Sequence, residues 1–131
     1  MLLDTSGMFG ILHQDERQHQ EAVRLYQQAN RRLTHSYVLA ELIPLALVRG
    51  LPRAQTLAFS LRAIDTDEME VVWVDERLHR QALALVLTRQ DKTYSLCDAV
   101  SFLLMRERGI QEALTTDKHF EQECFLRLLA P

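Results

Sequence analysis

Short apolar runs alternate with longer stretches of helical period along this chain. Leu2-Leu3-Asp4 puts two aliphatic residues before an acid. This predicts a short buried strand whose exit is Asp4-Thr5-Ser6, then an apolar helix from about Gly7 to Leu12. Gln18 to Arg32 carries Ala22, Leu25, Tyr26 and Ala29 at helical spacing and predicts an amphipathic helix. Leu33-Thr34-His35 predicts a second strand, with Ser36 as the cap of a helix from Tyr37 to about Val48. Arg49-Gly50 ends that helix, and Pro52 suits the first turn of the next, which runs to about Ile64. Glu70 to Val74 is rich in β-branched and aromatic residues and predicts a strand, with Trp73 in its core. Asp75 caps a helix from Glu76 to Leu87. Ser95 caps another from Leu96 to Glu107, which Gly109 stops. Ala113 to Thr116 and Phe125 to Leu128 complete the strands, on either side of a turn or short helix at Asp117 to Gln122.

Strands alternating with helices over short loops imply a parallel α/β sheet with helices on both faces. The expected architecture is a three-layer α/β/α sandwich with about five parallel strands. At 131 residues it is expected to be a single domain, residues 1–131.

Composition narrows the function. A net charge of −3 argues against a strongly basic nucleic-acid binder, so any contact with nucleic acid must use local patches. Cys97 and Cys124 lie far apart, with no CxxC or Cys/His cluster. They read as core filler in a reducing, cytoplasmic setting. No apolar stretch reaches the roughly 18 residues needed to span a bilayer, so no membrane association is expected.

Four acids stand out against this background. Asp4 follows the first strand and Asp117 follows the strand Ala113 to Thr116; each is open to a simpler reading as a helix cap or turn acid. Asp98 lies three residues after Ser95, where a capping box is the competing explanation. Glu41 sits in Tyr37 to Val48, an otherwise apolar segment. There a buried carboxylate is costly unless it is paired with an arginine, hydrogen-bonded or bound to a cation. In a parallel sheet, strand exits and the starts of the returning helices share one edge, which is where such folds bind ligands. Carboxylates gathered within about 4 Å repel by a few kcal/mol per pair at an effective dielectric near 20, so such a cluster calls for a divalent cation or protonation. An all-oxygen set suits Mg²⁺ or Mn²⁺ better than zinc. Ser6 and Thr116 are placed to orient the acids or a bound water.

At these residues the chain resembles the PIN domain family, especially the VapC-type toxins of prokaryotic toxin–antitoxin pairs. The likeness lies in Leu-Leu-Asp4-Thr-Ser, Val-Leu-Ala-Glu41-Leu, Asp91-Lys-Thr-Tyr-Ser-Leu-Cys-Asp98-Ala-Val-Ser-Phe and Leu-Thr-Thr-Asp117-Lys-His-Phe, in that order over nearly the whole length. The resemblance implies a PIN-like fold and Mg²⁺- or Mn²⁺-dependent endoribonuclease activity. Asp4, Glu41, Asp98 and Asp117 would be the catalytic, metal-binding acids, supported by Ser6 and Thr116. It also implies an RNA substrate, a cognate antitoxin and a homodimer. The first strand begins almost at Met1, and Gly7-Met8 replaces the aliphatic pair often found after this turn, departures that bear on the strand edge more than on the acids. The alternative is a catalytically inactive PIN-like module for protein interaction or RNA binding. A small phosphatase-like protein is disfavoured, because no nucleophile motif or Gly-rich phosphate loop is present.

The remaining candidates take simpler readings. His13 and His19 are expected to be solvated, and His119 is expected at the surface despite its nearness to Asp117. Arg31, Arg32, Arg89, Lys92 and Lys118 are the cations best placed in sequence to flank an acidic edge and touch phosphates. The helices from Gln18 to Arg32 and from Pro52 to Ile64 could offer a dimer face or an antitoxin groove, or simply be core.

Overall fold

The predicted strands pair into one parallel sheet in a computed structural model that describes residues 1–131. The chain runs β1 (Leu2–Leu3), α1 (Thr5–Leu12), α2 (His19–Gln28), β2 (Leu33–His35), α3 (Ser36–Val48), α4 (Arg53–Asp65), β3 (Glu70–Val72), α5 (Glu76–Thr88), α6 (Leu96–Arg108), β4 (Glu112–Leu114), α7 (His119–Gln122) and β5 (Leu126–Arg127). The sheet order is β3-β2-β1-β4-β5, with all pairs parallel. From β1 the chain builds outward through β2 to β3, then crosses to lay β4 on the other side of β1. The switch point therefore lies between β1 and β4, and a crevice opens there at the carboxyl edge.

Strand alternation distributes the core to both faces. Leu3 and Leu114 join Met8, Phe9, Leu42 and Ala63 under the layer α1 to α4. Leu2 and Ala113 join Ala82, Phe102, Met105 and Phe120 under the layer α5 to α7. On that second face Phe102 meets Tyr94 and Phe120 edge-on, each at 5.1 Å between ring centroids, and stacks on Phe125. The expected three layers are thus present. No helix is long and apolar enough to cross a membrane.

Gly7 accounts for one of the departures noted above. A Cβ built on it would lie 2.0 Å from the carbonyl oxygen of Leu114, so α1 passes directly against the β4 backbone. Only glycine permits that approach, and it brings the start of α1 to the exit of β4.

Several expectations are corrected. Trp73 lies beyond the end of β3 and is 61% exposed, because β3 is an edge strand; it is not core. Cys97 is buried as expected, but Cys124 is exposed, at a positive φ of 67°. Ser36 does not cap α3. His35 holds the cap position without a side-chain bond, and the Ser36 hydroxyl accepts the Val74 N–H instead. His19 is held by a hydrogen bond between its Nδ1 and the Gly10 carbonyl oxygen at 2.8 Å, so it is not simply solvated.

Candidate active site

Two strand exits and two helix starts deliver the polar groups to the crevice. Asp4 leaves β1 in extended conformation, at the cap position of α1, yet its side chain makes no capping bond. Its carboxylate turns into the crevice, where the Thr115 hydroxyl donates to Oδ2 at 2.8 Å. Thr115, just beyond β4, is fully buried, and its hydroxyl also accepts the Asp117 N–H at 3.0 Å. The Ser6 hydroxyl lies 3.1 Å from that of Thr115 and accepts the Thr116 N–H at 3.0 Å. These bonds tie the start of α1 to the exit of β4.

Asp98 stands in the first turn of α6. The capping box with Ser95 is fully formed: each side chain bonds the other's backbone N–H at 3.0 Å. That box does not exhaust the carboxylate, which also faces the cleft. His119 Nδ1 lies 3.3 Å from Asp98 Oδ2 and 3.2 Å from Asp117 Oδ2. One donor atom from each of Asp98, Asp117 and His119 lies within 4.8 Å of the other two. The cleft they share has a volume of about 660 Å³. Asp4, Glu41, Asp98 and Asp117 all line it, and no lysine or arginine does.

The electrostatics follow from that imbalance. Burial is the main cause lifting Asp4 from its ordinary value to about 7; the nearby charges of Asp98 and Asp117 add to the rise, and the Thr115 bond opposes it. Burial also raises Asp98, helped by Asp117 and opposed by the bonds to Ser95 and by His119. Two acids whose charged forms are disfavoured, in a cleft lined by two further carboxylates and by no lysine or arginine, are chemically suited to a hard divalent ion. The residues present therefore fit the Mg²⁺ or Mn²⁺ that the family resemblance implies.

All four predicted acids line this one cleft, but Glu41 and His119 differ from expectation. Glu41 is exposed, not buried, and its partner is no arginine: the Thr5 hydroxyl donates to its Oε2 at 2.9 Å. α3 is apolar all round because it leaves Leu47 and Val48 in solvent as well, 40% and 83% exposed. Pro44 lies inside the same continuous helix, also exposed. His119, expected at the surface, is instead half-buried between two acids, with Nε2 2.9 Å from the Thr93 hydroxyl and its ring edge-on to Tyr94.

Two supporting residues escaped the sequence reading. Thr115, one position before the expected Thr116, holds Asp4. A signal existed, since along an extended chain Thr115 shares its side with Asp117 and not with Thr116. Thr5 holds Glu41 and carries no such signal. None of the expected cations, Arg31, Arg32, Arg89, Lys92 and Lys118, lines the cleft. Arg31 and Arg32 sit near the amino edge of the sheet, the first receiving the Met1 ammonium on its carbonyl, the second stacked on Tyr26. Arg89 pairs with Glu123 and Lys92 with Asp91. Arg127, not predicted, donates to the Thr116 carbonyl at 3.1 Å and so lies closer to the site.

Comparison with known proteins agrees with this fold. A family model described as the PIN domain matches residues 1–126. The 23S rRNA-specific endonuclease VapC20 of Mycobacterium tuberculosis, from the CDC 1551 / Oshkosh and H37Rv strains, is 30% identical over 131 residues, covering 98% of this chain and 97% of the relative. The crystal structure of Mycobacterium tuberculosis VapC20, described as a Sarcin-Ricin loop cleaving toxin, superposes with a TM-score of 0.87 at 26% identity, covering 99% of this chain and 98% of that one.

Proposed function

We propose, from the premise that the chain belongs to the PIN domain family and is a metal-dependent endoribonuclease of the toxin type, that Asp4, Glu41, Asp98 and Asp117 carry its chemistry. The observation behind this reading is their convergence on one cleft that no lysine or arginine lines. A divalent ion, Mg²⁺ or Mn²⁺, would be held by these acids; when bound it polarises a phosphoryl oxygen and activates water toward a phosphodiester. The chain's part is to hold the carboxylates in place. Thr115 orients Asp4, and the Ser95 backbone N–H orients Asp98 by donating to its carboxylate. Ser6 braces the Thr116 amide, so that α1 and β4 keep their spacing. Thr116 contributes through that amide and through its place on the cleft wall.

The substrate is RNA, and the loop named for VapC20 is the natural first substrate to try. The alternative of an inactive interaction module is not favoured by a relative that is itself named as an endonuclease. The test is cleavage of that RNA in Mn²⁺ by wild type, Asp4→Asn and Asp98→Asn. Loss of cleavage in folded variants is expected; retained cleavage overturns the assignment.

A toxin of this kind takes an antitoxin partner. We place that partner in the apolar groove of about 230 Å³ between α1, α2 and α4, where Met8, Ile11, Tyr26 and Phe59 meet. A homodimer is the further expectation, supported by the exposed Leu83 and Leu87 of α5 and the end of α3. Light scattering of the chain alone, then with Phe59→Glu and Leu87→Glu variants, separates the two faces: only the second variant is expected to yield monomer.

A further inference from the structure

His119 stands against the acids in a way that an all-oxygen cation site does not require. Its Nδ1 is 3.2 and 3.3 Å from one oxygen each of Asp117 and Asp98. Donor atoms around a small divalent cation at about 2.1 Å are separated by about 3 Å, so the nitrogen already stands at ligand spacing from each oxygen, and all three residues offer an atom within 4.8 Å of the other two. The ring is held from its other side. Nε2 is 2.9 Å from the Thr93 hydroxyl, and Tyr94 meets the ring edge-on at 5.2 Å. A hydroxyl can donate or accept. Without a cation, Nδ1–H donates to the two carboxylates while Nε2 accepts from Thr93. With one, Nδ1 is free to ligate while Nε2–H donates to Thr93. That outer bond is the usual companion of a metal-bound imidazole, fixing its tautomer and orientation.

We propose that Asp98, Asp117 and His119 Nδ1 form a mixed nitrogen–oxygen cation site, with Thr93 as the positioning residue of the imidazole. The site therefore takes Mn²⁺ more tightly than Mg²⁺, and Zn²⁺ more tightly than either. The reason is ligand chemistry. Carboxylates serve Mg²⁺ and Mn²⁺ alike, whereas imidazole favours transition metals, whose affinities rise from Mn²⁺ toward Zn²⁺. The inference builds on the ribonuclease reading only for the place where the cation binds, and it is measured without RNA.

The experiment is calorimetric titration of the full chain with MgCl₂, MnCl₂ and ZnCl₂, repeated on His119→Phe, which retains a ring against Tyr94. The substitution is expected to weaken Mn²⁺ and Zn²⁺ binding by about tenfold or more and Mg²⁺ binding by less than about threefold. Equal losses for all three ions, or no loss, overturn the proposal. Electron spin-echo modulation of the wild-type Mn²⁺ complex gives a second readout that needs no variant. Coupling to one imidazole nitrogen is expected, and its absence also overturns the proposal. Should Asp4→Asn leave RNA cleavage intact, the ribonuclease assignment fails instead, whatever the nitrogen signal.

Discussion

Asp4 and Glu123 are two carboxylates of nearly equal burial, 6% and 8% exposed, with opposite electrostatic fates. Burial alone would raise both. Around Glu123, on the far side of α7, Arg106 and Arg89 both donate to the carboxylate, and together they bring it below its ordinary value. Around Asp4 no cation offsets the burial that lifts it, and the charges of Asp98 and Asp117 add to the rise, so it climbs to about 7. Glu123 is thus neutralised by the protein itself and is structural. Asp4 is left for something outside the chain to neutralise. Burial of an acid does not distinguish a structural residue from a site; the sign of its neighbours does.

The sharpest way to break this contrast is to neutralise each acid. Asp4→Asn is expected to reduce RNA cleavage by about a hundredfold or more, since a cation contributes several kcal/mol of charge stabilisation at the reacting phosphate. The same change should raise the melting temperature of metal-free protein at pH 8, because it removes a disfavoured buried charge while the Asn oxygen can still accept from Thr115. Glu123→Gln should cleave RNA at close to the wild-type rate and melt lower. Parallel melting and cleavage assays of the two variants would show whether the signs oppose; melting shifts of the same sign would end the contrast.

Next in size is the pH response. Asp4 has a raised folded-state value, so its contribution is fully present below 3.8 and is lost as pH rises through about 7. Glu123 has a lowered value, so its contribution is present above 4.5 and is lost as pH falls further. Metal-free protein should therefore be most stable near pH 4.5, lose stability as pH rises from there to about 7, and level off above it. Excess Mn²⁺ should abolish this loss, because the cation takes the place of the protons, and its affinity should rise with pH up to about 7 and level off above it. Melting curves from pH 4 to 9, with Mn²⁺ and with chelator, test this; identical curves would contradict it.

How much of this could be read beforehand varies from residue to residue. The sheet was legible because each strand is a short apolar run next to a turn or cap signal. The convergence of Asp4, Asp98 and Asp117 followed from where parallel strands end and helices begin. The environment of Glu41 was not legible. An apolar residue facing solvent on α3, such as Val48, has the same letter as one facing the core. Trp73 failed for a related reason, since strand composition does not say which strand is at the edge. His119 was misread because its ring is placed by Thr93 and Tyr94, which lie some twenty-five residues earlier in the chain. The Arg89–Glu123–Arg106 bracket is equally non-local: three residues on separate segments that meet only after α6 and α7 pack.

For Glu123 itself the cost of losing the charge can be bounded. Removing one partner of a fully buried ion pair costs about 3–5 kcal/mol. Here the arginine side chains remain 39% and 43% exposed and can turn to water, so Glu123→Gln should cost less, about 1–3 kcal/mol. Urea unfolding at pH 7 measures it, and a loss below about 0.5 kcal/mol would reduce the bracket to ordinary surface pairing.

Glu41 gives the smallest effect and the finest test, because it shares the cleft with Asp4 but not the burial. It is exposed on α3 and held by a single bond from Thr5. Water screens its charge, so Glu41→Gln should change stability by less than about 0.5 kcal/mol at any pH between 5 and 9. Its amide oxygen can still accept from Thr5, so the geometry at the start of α1 should persist. What is lost is one negative charge at the rim of a cation site, for which a decrease in cleavage of about tenfold is expected, smaller than for Asp4. Measured together, unchanged melting and reduced cleavage would mark Glu41 as an acid kept for the site alone. A melting shift as large as that of Asp4→Asn would mean instead that the charge repulsion in the cleft extends to its solvent-facing edge, and that burial is not what sets Asp4 apart.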